Sequence, residues 1–67
     1  MKLGVVKKSD LISRIGWNDN VMRVEYHDGY VADYYGVPLS TAKAIARSTT
    51  PGTDWLKLRN QYKFKKV

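Results

Sequence analysis

Apolar and polar residues alternate through most of the first half of this chain, and the period changes once, after Pro38. From Val21 to His27, Met22, Val24 and Tyr26 alternate with Arg23, Glu25 and His27. Successive side chains on a strand point to opposite faces, so this is the pattern of a half-buried strand. A second run, Tyr30 to Tyr35, puts Tyr30, Ala32 and Tyr34 on one face and Val31, Asp33 and Tyr35 on the other. Asp28-Gly29 between the two predicts a hairpin closed by a type I′ turn, which needs positive φ at both central positions. Upstream, Leu11 to Trp17 predicts another strand, with Ile15 and Trp17 on one face and Arg14 and Gly16 on the other. Ile12 breaks that alternation, which predicts a bulge or an irregular start. Asn18-Asp19-Asn20 supplies a turn from residues that tolerate left-handed geometry.

After Gly36-Val37-Pro38 the spacing becomes helical. Pro38 marks a helix entrance, and Leu39 to Thr49 carries Ala42, Ile45, Ala46 and Thr49 along one stripe. Thr49-Thr50-Pro51-Gly52 predicts a stop and a loop. Thr53-Asp54 is suited to cap a short helical turn bearing Trp55 and Leu58. Alternation returns from Gln61 to Val67, with Tyr62 and Phe64 facing one way and Lys63 and Lys65 the other. The expected fold is therefore α+β: a small antiparallel sheet of three to four strands, in the order β-β-β-α-β, with one main helix packed on one face. Trp17, Val24, Tyr26, Tyr34, Ile45 and Phe64 are expected to meet in the core beneath that helix. Residues 1–8 form a basic lead-in, whose Leu3, Val5 and Val6 either add an edge strand or pack down. Residues 9–67 form a single domain.

The size of the chain restricts its chemistry. Sixty-seven residues make one domain near the lower limit for independent folding. No cysteine is present and His27 is the only histidine, which excludes disulfides and a zinc site of the usual Cys/His kind. The glycines form no phosphate-cradling loop, so no cofactor is expected. No segment is apolar enough to span a bilayer, and the N-terminal apolar patch is too short for a signal-peptide core. The expectation is a cytoplasmic protein with no membrane partner. His27 could serve as the base of a nucleophilic triad, but it sits at a strand end beside the Asp28-Gly29 turn, and the six acids are scattered with none clustered with a histidine, so no enzymatic activity is expected.

Charge points to a partner. The net charge is +6, which favours a polyanion or an acidic protein surface. It is unevenly spread: Lys57, Arg59, Lys63, Lys65 and Lys66 follow Leu56 with no acidic residue among them. Alternation places Arg14, Arg23, Lys63 and Lys65 around Tyr35 on the face opposite the core. Cations meet phosphates and an exposed ring stacks on a base, so this face is a candidate nucleic-acid surface. Glu25 and Asp33 lie on the same face and dilute its charge. A solvated face with cross-strand ion pairs would show the same pattern, and terminal lysines also protect an edge strand from aggregation. The nucleic-acid-binding candidates are Arg14, Arg23, Tyr35, Lys57, Arg59, Lys63, Lys65 and Lys66.

One ordered set of residues resembles a family. Ser9, Ile12 and Ile15-Gly16-Trp17 are followed by Met22-Arg23-Val24-Glu25-Tyr26 and Gly29. Tyr34-Tyr35-Gly36-Val37-Pro38, a helix, and Tyr62-Lys63-Phe64 complete the set. The set resembles the KTSC domain, named for the C-terminal region of certain lysyl-tRNA synthetases and present as small stand-alone proteins in bacteria and phages. The resemblance spans residues 9–67 and implies RNA binding without catalytic residues. Two departures stand out. The family's Tyr-x-Tyr reads Ala32-Asp33-Tyr34 here, and its Gly-x-Phe/Tyr-Phe-Asn segment is replaced by Gly52-Thr53-Asp54-Trp55. The expected function is nucleic-acid binding, RNA before DNA. The alternative is a phage or mobile-element interaction module that binds and modulates a host protein.

Overall fold

The computed structural model describes residues 3–5 and 9–67. Five strands form one antiparallel sheet in chain order: β1 (Leu3–Val5), β2 (Ile12–Asn18), β3 (Val21–Tyr26), β4 (Val31–Tyr35) and β5 (Lys63–Lys66). Between β4 and β5 lie α1 (Leu39–Arg47), α2 (Pro51–Leu58) and a 3-10 turn, Arg59–Gln61. The α+β architecture is the expected one. Leu3–Val5 of the lead-in adds an edge strand beside β2 and brings the sheet to five. Val6 lies outside the described residues. No helix among the described residues is long and apolar enough to cross a membrane.

The strand parities hold through the centre of the sheet. Met22, Val24, Tyr26, Ala32 and Tyr34 are buried, and their neighbours in sequence are less so. The register of β2 on β3 shifts between Ile12 and Arg14, the expected bulge. The extra residue lets Ile12 and Ile15 both reach the core although they stand three apart. The helices cover this face: Ala42 and Ile45 of α1 and Trp55 of α2 complete the buried cluster. Val24 and Ile45 thus meet on one side of the sheet, as the pattern requires.

The turns exchange roles. Asp19 and Asn20 have φ of 49° and 63°, so the β2–β3 connection is the two-residue loop with positive φ at both centres. At the β3–β4 connection only Gly29 has positive φ, 92°. There the Gly29 N–H donates to the Tyr26 carbonyl (3.0 Å) and the Tyr26 N–H to the Tyr30 carbonyl (2.8 Å). This is a three-residue loop ending in a left-handed glycine, not the expected type I′ turn. Asp28 instead accepts the Tyr30 N–H on its carboxylate at 2.9 Å, a local bond that stabilises the wider loop.

Three further expectations need correction. Pro51 does not stop a helix; it is the first residue of α2, where its fixed φ suits helical geometry and its missing N–H is no loss. Before it, Ser48 Oγ accepts the Thr50 N–H and donates to the Asp54 carboxylate, which lies in the first turn of α2. The main helix ends at Arg47, and Ala46 and Thr49 of its proposed apolar stripe are exposed. Phe64, expected in the core, is 56% exposed. It shares a face with buried Tyr34, but it belongs to the outermost strand, where all four residues are exposed. Trp17 is half-buried, and its indole N–H donates to the Val37 carbonyl at 2.8 Å.

Candidate nucleic-acid interface

Neither helix covers the second face of the sheet. The strand registers place Arg14 opposite Glu25, Arg23 opposite Asp33, Asp33 opposite Lys65 and Tyr35 opposite Lys63. Paired residues in an antiparallel sheet point to the same side, so these side chains form one surface. Of the eight predicted contact residues it gathers five: Arg14, Arg23, Tyr35, Lys63 and Lys65.

Charges on this surface are not equivalent. Arg23 grips Asp33 with two parallel bonds, Nε to Oδ1 at 2.7 Å and Nη2 to Oδ2 at 3.0 Å. Asp33, through this bonding and its charge, pushes the guanidinium pKa up from its ordinary value. It is the only ion pair among the described residues. Both Asp33 oxygens are therefore engaged, although Lys65 is its neighbour in register. Glu25 is the register neighbour of Arg14, with no ion pair between the two among the described residues. Arg14, Lys63 and Lys65 make no ion pair among the described residues; the two lysines lie at the β5 margin beside Tyr35, which is 43% exposed. The carboxylates that dilute the face are held on the β2–β4 side.

The other three predicted residues lie elsewhere. Lys57 is exposed in the last turn of α2. Lys66 pairs with Ala32 on the helix-bearing side, where its ammonium stands 5.3 Å from the centre of the Tyr30 ring. Arg59, in the 3-10 turn, lines a cleft of about 480 Å³ together with Leu11, Tyr26, Asp28, Tyr30, Tyr34, Asn60, Tyr62 and Phe64. Parity puts Phe64 in the core with Tyr62 on the same face, and gives Asn60 no role. The signal that Phe64 lies uncovered was the set of lysines at 63, 65 and 66, the composition of an edge strand.

The floor of the cleft is a hydrogen-bonded aromatic cluster. Tyr26 and Tyr34 share a hydroxyl–hydroxyl bond of 2.7 Å, and the Trp55 indole N–H donates to the Tyr26 hydroxyl at 3.2 Å. The Tyr34 and Trp55 rings meet edge to face at 4.8 Å. His27 takes no part; its Nε2–H donates to the Ser9 carbonyl at 2.9 Å and pins the β3–β4 loop to the start of the domain.

Burial, followed by the bond to Tyr26, raises the Tyr34 pKa above its ordinary value of 10.0. The unfolded chain then releases this proton at lower pH than the folded one. The stabilisation is fully present below about pH 10, the unfolded pKa, and is lost as pH climbs beyond it toward the folded pKa. Thermal melts between pH 8 and 11.5 should show the midpoint falling above about pH 10, with a shallower fall in Tyr34→Phe, which has no proton to lose there. Equal slopes in the two proteins would remove Tyr34 as the source.

No protein-family model matches the chain, and no match to it is found among curated proteins.

Proposed function

We propose that this protein is a small, non-catalytic nucleic-acid-binding domain of the KTSC kind that takes single strands, RNA before DNA. The observation that carries the proposal is the β5 margin of the uncovered face. Lys63 and Lys65 stand there with no ion pair among the described residues, next to the exposed ring of Tyr35. Lysines alone would serve any polyanion. An exposed aromatic within the same strip adds a platform for an unpaired base, which a duplex does not offer. The preference for RNA rests on the resemblance to the region appended to lysyl-tRNA synthetases. Arg23 is held to Asp33, and Lys63, Lys65 and Tyr35 make the contacts.

The test is a titration of labelled single-stranded RNA and DNA at several salt concentrations. Changing Lys63 and Lys65 together to Gln should lower the salt slope by about two units, one for each phosphate no longer neutralised, and weaken all sequences alike. Tyr35→Ala should cost about 1–3 kcal/mol of binding. Lys43→Gln, on an exposed position of α1, is the control and should change neither. All these positions are exposed, so the fold should survive each change. Absence of salt-sensitive binding to any nucleic acid would overturn the proposal and leave an acidic protein surface as the partner to test.

A further inference from the structure

The aromatic cleft lies on the other side of the sheet from the Lys63–Tyr35 strip, and that strip does not account for it. Several of its features suit a ligand. Phe64 is 56% exposed at its wall, with its ring 5.4 Å from that of Tyr34 and tilted by 30°. An apolar ring left open beside a recess of about 480 Å³ is suited to stack on a flat guest, and that volume falls within the usual range for small-ligand sites, about 300–1,000 Å³. Arg59 lines the recess half-buried, and no described carboxylate lies within ion-pair distance of it. Lys66, outside the lining, holds its ammonium over the ring of the lining residue Tyr30, and Asp28 is the single carboxylate of the lining. Asn60 supplies an amide with both donors and an acceptor, the equipment for the polar edge of a heteroaromatic ring.

A flat apolar wall, an amide and a free guanidinium together match a planar heteroaromatic ring bearing an anionic group. We propose that the cleft is a pocket for one nucleotide unit, its base stacked on Phe64 and its phosphate held by Arg59. The inference deepens the nucleic-acid reading and rests on it in one respect: the nucleotide is taken to be one that a strand held at the β5 margin turns into the cleft. β5 is the divider between the two surfaces. Its side chains alternate between them, with Lys63 and Lys65 toward the open strip and Phe64 and Lys66 toward the cleft. A strand crossing this four-residue edge meets cations on both sides.

The experiment has two arms on the intact protein. In the first, nucleoside 5′-monophosphates are titrated while the aromatic ring resonances of Tyr30, Tyr62 and Phe64 are followed. Those rings should shift, and inorganic phosphate alone should leave them in place. Phe64→Ala should weaken the mononucleotide by about 5- to 150-fold, the range expected when one base stack is removed, and Arg59→Gln should weaken it through loss of the charged phosphate contact. Lys63→Gln with Lys65→Gln should leave mononucleotide binding unchanged. In the second arm, a single-stranded RNA carrying one 2-aminopurine should lose fluorescence on binding wild type and retain it on binding Phe64→Ala. Phe64→Leu, which keeps the apolar volume without the ring, should behave like Phe64→Ala and so excludes a packing effect.

The outcomes separate the two readings. Salt-sensitive RNA binding with no mononucleotide shift, and with no effect of Phe64→Ala, overturns the pocket and leaves the strip standing. Mononucleotide binding that depends on Arg59 and Phe64, without any oligomer binding, upholds the pocket and overturns the strip. Silence in both arms overturns both.

Discussion

Replacing Trp55 with alanine is expected to leave most of the chain unfolded at 25 °C. Trp55 is 0% exposed and is the largest of the fully buried side chains. Its ring meets Tyr34 edge-on at 4.8 Å and lies parallel to Tyr62, 12° between planes and 6.0 Å between centres. Its N–H donates to the Tyr26 hydroxyl. Truncating a buried aromatic side chain of this size costs about 3–5 kcal/mol, the transfer term plus the cavity left behind. A domain of this length has a net stability of about 3–5 kcal/mol, so the loss is of the same size as the whole. Far-UV circular dichroism with urea titration should show a variant with little or no native baseline. Trp55→Phe, which keeps a ring but removes the donor and part of the volume, should fold with a lower midpoint. A Trp55→Ala protein melting close to wild type would mean that α2 is not part of the cooperative core.

Gly52→Ala is expected to destabilise by about 1–3 kcal/mol, the usual cost of overpacking, although alanine is the better helix former by about 1 kcal/mol. The sign of the effect therefore separates packing from propensity. Gly52 is buried in the first turn of α2, against the start of the domain. A Cβ built there would stand 2.9 Å from Ser9 Oγ and 3.2 Å from Leu11 Cβ. The serine oxygen has little freedom to move aside, because it accepts the N–H groups of Leu11 at 3.1 Å and Ile12 at 2.9 Å. Rotating it away would orphan both donors. Ser9→Ala removes the obstructing oxygen, so the double variant should lose less than the sum of the two single losses, a coupling that denaturant titration of all four proteins measures. A stabilised Gly52→Ala protein would show that helix propensity outweighs this contact.

Sequence and structure agree most closely in β3. Met22, Val24 and Tyr26 face the core as their spacing requires, because a strand imposes a period of two whatever it packs against. The same rule read the bulge from Ile12 and placed Arg14, Arg23, Tyr35, Lys63 and Lys65 on one surface. Turn chemistry was legible to the level of position but not of type. Asp28-Gly29 and Asp19-Asn20 both tolerate left-handed geometry, and whether Asp28 adopts it depends on the bond its carboxylate makes to Tyr30.

Alternation and spacing along the chain set the direction of most side chains: the parities of β2 to β5, the helical period after Pro38, and the concentration of charge near the C-terminus. Tertiary packing sets which of those directions are covered and which charges are cancelled. Phe64 and Tyr34 face the same way, yet Tyr34 lies beneath Trp55 and Phe64 lies open, because α2 reaches over β4 and leaves the edge strand bare. Arg23 and Lys65 are both cations of the open face, yet Arg23 occupies both Asp33 oxygens and Lys65 makes no ion pair among the described residues. Periodicity is a local property of the backbone. Burial and charge pairing depend on residues brought together from distant parts of the chain, as when Trp55 reaches Tyr26 across twenty-nine positions to close the floor of the cleft.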